Sequence, residues 1–155
     1  MNVAAATPAW LLAIVLLLLV AATVEDVVRR RISNIISVSV VACAVAAMAY
    51  AGFPVELWQN VLVFVLILAA GTALFAAGMM GGGDVKLFAA LGLWVSLTGA
   101  LWLVASIFLM GGLLALLFVG TRLVAGRGLR DGKDAPYGIA IAAGALLTFA
   151  LQANW

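Results

Sequence analysis

Between Trp10 and Val24 the chain is almost unbroken Leu, Val, Ile and Ala. Runs of that kind recur along the whole length, each near the roughly 20 residues that a helix needs to cross a hydrocarbon core. Of the 155 residues, 68% are hydrophobic and only 9% charged, against about 25% charged in an ordinary soluble domain. Such a sequence cannot cover a water-facing globule, and no stretch is left over for a soluble domain. The expected architecture is therefore all-α: a polytopic membrane protein of about six transmembrane helices in one bundle, forming a single domain over residues 1–155.

The polar residues place the boundaries. Glu25, Asp26 and the triplet Arg29, Arg30, Arg31 follow the first span. A cleaved signal peptide would carry its basic residues ahead of the apolar core, so this span is expected to be retained. A second span, from about residue 32 to 51, carries Ser33, Asn34, Ser37 and Ser39 near its start, and these should face protein rather than lipid. After the turn Gly52-Phe53-Pro54 a third span runs from about Leu57 to Ala77. Residues 87–119 are apolar for longer than one helix can use, so the chain must turn inside them, at Ser96–Gly99 in preference to Gly111-Gly112. That choice makes the fourth helix, starting at Asp84, unusually short. A fifth span ends near Leu123, a polar loop covers residues 122–134, and Pro136 opens a sixth, well placed because the missing N–H of a proline has no partner in a first helical turn.

Alternating the loops across a membrane puts residues 25–31, 78–86 and 122–134 on one side, and all eight Lys and Arg fall in those three segments. Basic residues mark the cytoplasmic side, which leaves both termini outside. The net charge of +2 is thus a matter of topology, and no nucleic-acid partner is expected. Cys43 is the single cysteine and there is no His, so neither an internal disulfide nor a zinc or haem site is expected. No metal or cofactor is assigned.

On this topology Asp26 and Asp84, far apart in sequence, reach the same face of the membrane. Asp84 follows Gly81-Gly82-Gly83; glycines admit backbone conformations closed to other residues and let another chain come close. An ionisable group at the edge of a membrane span is a functional candidate once a partner is named. Two adjacent carboxylates share a proton and titrate as a pair, which supplies an acid and a base without a metal or nucleophilic side chain. Structural readings stand beside this one. Asp84 would also serve as a helix N-cap, and Asp26 as an interfacial charge paired with Arg29 or Arg30. Lys86 lies about 200° around a helix from Asp84 and is suited to reaching lipid phosphates.

Asp26 followed by Arg29–Asn34 (Arg-Arg-Arg-Ile-Ser-Asn), then Gly81–Leu87 (Gly-Gly-Gly-Asp-Val-Lys-Leu), then Pro136–Ala140 (Pro-Tyr-Gly-Ile-Ala) resembles the type IV prepilin peptidases over nearly the whole chain. Within them it is similar to the short form associated with Flp-type pilus assembly. The resemblance implies a GxGD aspartic endopeptidase of the bacterial inner membrane that removes the basic leader of pilin precursors on the cytoplasmic side. Asp26 and Asp84 would be its catalytic pair and Gly81 and Gly83 its fixed glycines, with Lys86 and Asn34 shaping the surrounding loops. Two departures stand out. Ser33 occupies a position that is commonly Pro in the family, and nothing in the chain matches the cysteine-bearing methylating domain of larger members, so peptidase activity without methylation is expected. The competing readings are a proton-coupled transporter, which would place its acids nearer mid-span and show an inverted repeat, and a non-catalytic pilus or secretion assembly subunit.

Overall fold

A computed structural model of the chain describes residues 1–124 and 137–152, without the side chains of residues 122–124. It contains seven helices: α1 (Val3–Ala6), α2 (Ala9–Arg29), α3 (Asn34–Tyr50), α4 (Leu57–Ala76), α5 (Gly82–Gly92), α6 (Leu97–Val124) and α7 (Tyr137–Gln152). No strand occurs among the described residues. Three helices are long and apolar enough to cross a membrane, namely α2, α4 and the Leu97–Thr121 part of α6. The apolar helices α3 and α7 have 17 and 16 residues, and α5 has 11, or about 16 Å at 1.5 Å per residue. The protein is an all-α, polytopic membrane protein, and among the described residues three helices reach full crossing length where six were expected.

Local chemistry fixes most of the breaks. Pro8 sets the start of α2 with φ −58°, and Arg30 ends it in the left-handed region at φ 54°, its N–H donating to the Asp26 carbonyl. The turn inside the long apolar run falls at residues 93–96, close to the preferred position, and the Ser96 hydroxyl accepts the Gly99 N–H at 3.2 Å to open α6. Gly111 and Gly112 lie inside α6 and break nothing. One expectation is corrected: α5 begins at Gly82 rather than Asp84. A short α1 precedes the first span. Most of the polar loop at 122–134 and the Pro136 helix start lie outside the described residues.

α5 is the buried centre of the bundle. Seven of its residues, Val85 and Leu87 to Gly92, are inaccessible, enclosed by α4, α3 and α7. Small residues allow this closeness: a Cβ on Gly71 of α4 would lie 2.7 Å from Val85, and one on Gly92 would lie 3.0 Å from Val63. Lipid supplies no hydrophobic drive between helices, so such close backbone packing carries the association. At the far end of α5 the fully buried Asn60 donates to the carbonyls of Leu93 and Val95 at 3.0 and 2.8 Å, meeting acceptors that a turn in a membrane bundle would otherwise leave orphaned. Around this core Ile35, Leu101 and Leu116 are more than 70% exposed, as residues facing lipid should be.

Candidate active site

Leu11, Val15, Leu19, Ala22 and Asp26 are the buried residues of α2. Their spacing of three and four makes one stripe on the helix, so the carboxylate sits in line with the core side chains and is itself only 5% exposed. Its neighbour Glu25 turns outward. Glu25 pairs with Arg29 at 3.4 Å and accepts the Ser33 N–H at 2.9 Å, tying the end of α2 to the start of α3. Of the two arginines considered as partners for Asp26, Arg29 pairs with Glu25 instead. Oδ2 of Asp26 instead accepts the backbone N–H of Gly138, in the first turn of α7, at 2.7 Å.

Asp84 comes from the opposite direction, at the head of α5. Gly81 is the N-cap of that helix, which makes Asp84 its third residue and corrects the N-cap reading. An acid at this position points back toward the N-cap, as in a capping box, and the Asp84 carboxylate lies against Gly81, where an added Cβ would stand 2.6 Å from Oδ2. Oδ1 of Asp84 is buried with no hydrogen-bond partner. Burial, and then the charge of Asp26, push Asp84 up to about 6, with the Gly81 N–H pulling the other way. The two carboxylates thus occupy one end of the bundle and interact electrically.

The three glycines are there for contact rather than conformation. Gly81 has φ −71° and Gly82 and Gly83 are helical; it is Gly78, at φ 72°, that needs a glycine's freedom. A Cβ on Gly83 would stand 2.7 Å from the carbonyl oxygen of Ile32 and 3.1 Å from its nitrogen. The α2–α3 connection therefore crosses directly over the first turn of α5, and the chain that comes close to Gly83 is the protein's own. Beside this crossing Lys86 donates to Oδ1 of Asn34 at 2.8 Å, a bond between two residues that sequence reasoning named separately. It assigned no site role to Gly138 or Glu25. Gly138 was visible only within the Pro136-Tyr137-Gly138 string, and nothing local signals that Glu25 reaches Ser33. Among the described residues no group of three or more His, Cys, Asp or Glu is placed to hold a metal ion.

Residues 12–120 match the type IV leader peptidase family. The chain belongs to that family. The matched segment takes in Asp26, Asp84 and the glycine run, and α7 lies beyond it. No curated protein and no solved structure matches the chain. Membership in the leader peptidase family makes a membrane protease of the prepilin-peptidase kind the function to explain.

Proposed function

We propose that the protein is an aspartic endopeptidase of the bacterial inner membrane that cleaves the leader from Flp-type pilin precursors, using Asp26 and Asp84 to activate water. The observation that carries this reading is the electrical coupling of two carboxylates from helices remote in sequence, one of them with a buried, unpartnered oxygen. Asp84, held protonated toward pH 6, is the acid and Asp26 the base. A water between them gives a proton to Asp26 as its oxygen attacks the scissile carbonyl, whose oxygen takes the proton of Asp84. The tetrahedral diol then collapses: the C–N bond breaks, the leaving nitrogen receives the proton held by Asp26, and Asp84 recovers one from the diol. Such proton transfers between positioned groups contribute about 10²–10⁴-fold each.

The distribution of basic residues supports a cytoplasmic position for this end of the bundle, with both termini periplasmic. A pilin precursor, a basic leader joined to an apolar helix, presents its cleavage site at that depth, and the scissile stretch must be extended to expose its carbonyl. The transporter reading is less well supported, because both acids sit at helix ends: Asp26 in the last turn of α2 and Asp84 in the first turn of α5. The test is co-expression of a pilin precursor with Asp26→Asn or Asp84→Asn. Each variant is expected to reach the membrane at normal levels and leave the precursor uncut. Normal leader removal by either one would overturn the assignment.

A further inference from the structure

We infer that the first turn of α7 is a working part of the site, with Gly138 acting as a positioning residue that fixes the orientation of the Asp26 carboxylate. The inference rests on the reading of Asp26 as a member of the dyad. Three observations carry it. The Gly138 N–H donates to Oδ2 of Asp26 at 2.7 Å in a buried setting, across 112 residues of sequence. In a first helical turn that N–H has no partner within the helix, and the helix end favours negative charge, so α7 supplies a donor suited to a carboxylate. The contact also tolerates no side chain. A Cβ on Gly138 would lie 2.9 Å from Cβ and from Oδ2 of Asp26 and 3.1 Å from its Cγ, so the whole acid side chain rests against the glycine Cα. Finally, α7 has no room to retreat, because a Cβ on Gly144 would already be 2.6 Å from Cα of Ile107 in α6. The acid is thereby set from one side by its own helix and from the other by a segment outside the family-matched residues. One carboxylate oxygen is committed to the helix end, which leaves the other for water.

The experiment measures kcat and KM of the full-length protein on a pilin precursor in lipid nanodiscs, per folded molecule, for four forms. In Gly138→Ala the added methyl displaces the carboxylate. An ester in place of the 137–138 peptide bond deletes the N–H and adds no bulk. Both are expected to lower kcat by about tenfold or more, the worth of one hydrogen bond to a charged group, while KM stays within about twofold, the pattern of an interaction used in the chemical step. Asn60→Leu, which removes hydrogen bonds at the opposite end of α5 without touching Asp26 or α7, is expected to lower the unfolding temperature and leave kcat unchanged. If Gly138→Ala does not fold, the ester decides. A kcat within about twofold of the parent in the ester form, or a loss in Gly138→Ala that appears equally in Asn60→Leu, overturns the inference. Asp26→Asn is the fourth form. If it is inactive while the glycine variants are not, the dyad stands and the role of α7 falls; if it cleaves normally, the dyad itself falls.

Discussion

A methyl group placed in turn at Gly81, Gly82 and Gly83 meets three different kinds of neighbour, so the three alanine variants are expected to behave differently. At Gly83 the neighbour is backbone: the Ile32 carbonyl oxygen at 2.7 Å is roughly 0.7 Å inside ordinary contact. Ile32 cannot yield alone, because Ser33 is bonded to Glu25 and Asn34 to Lys86. The α2–α3 connection and α5 must therefore separate. Overpacking of this kind costs about 1–3 kcal/mol, offset by up to about 1 kcal/mol from the better helix propensity of alanine. The same separation moves Asp84 relative to Asp26, and a displacement approaching 1 Å costs about 10²-fold in rate.

At Gly81 the methyl would lie 2.6 Å from Oδ2 of Asp84, the end of a side chain that can swing away. Gly81→Ala should keep most of its stability, losing under about 1 kcal/mol at the N-cap, and yet lose activity as the carboxylate leaves its seat. At Gly82 the nearest atom is the ring edge of Phe75, at 3.3 Å, which can give way. Gly82→Ala should match the parent in cleavage and be equal or slightly higher in stability. The assay pairs thermal unfolding in detergent with the precursor cleavage rate per folded molecule. Full activity in Gly81→Ala, or a Gly83→Ala protein as stable and active as Gly82→Ala, would refute the contact argument.

Two further predictions concern pH and the opposite end of the bundle. Asp84 is raised to about 6 from 3.8, by burial first and by Asp26 second, so its proton is lost as pH rises through about 6, and kcat should fall with it. The stability contribution has the same sign: a carboxyl held more tightly protonated in the fold favours the native state fully below 3.8, and that advantage is lost as pH rises through about 6. Unfolding temperatures measured across this window should show the decline in the parent and not in Asp84→Asn, and Asp26→Asn should move it to lower pH; a decline that persists in Asp84→Asn would assign it elsewhere. Asn60→Leu removes the donor to the Leu93 and Val95 carbonyls and should cost about 1–3 kcal/mol. Cleavage per folded molecule should not change, because those bonds lie beyond the other end of α5 from Asp84; a changed rate would contradict that separation.

Much of this arrangement was legible in the sequence. Apolar runs located α2, α3, α4, α6 and α7, and the excess length of residues 87–119 forced a turn that falls at 93–96, leaving α5 short. What hydropathy does not encode is where a helix end is trimmed, so α3 and α5 were counted as crossings although they fall short of full length. The role of Asn60 was hidden for a different reason. In the sequence it is one polar residue interrupting an apolar span, and only the fold brings the 93–95 turn to its amide.

The glycine run shows how far a one-dimensional reading reaches. Three glycines before an acid suggest a place where side chains are excluded, but the sequence does not say that this holds at Gly81 and Gly83 and not at Gly82, nor which atoms are responsible. Conformational freedom was one expectation, and the backbone at Gly81, Gly82 and Gly83 does not use it. Close approach of another chain was the other, and over Gly83 that chain is the protein's own, at Ile32. At Gly83 the requirement was readable because it is local; its cause was not, because it lies in Ile32, some fifty residues away. The same holds at Gly138, where the atoms that exclude a side chain belong to Asp26 itself. Each acid is thus seated against a glycine, Asp84 against Gly81 and Asp26 against Gly138. At Gly138 the partner comes from another helix, so the separation of the two carboxylates depends on how α2, α5 and α7 pack together and not on any one motif.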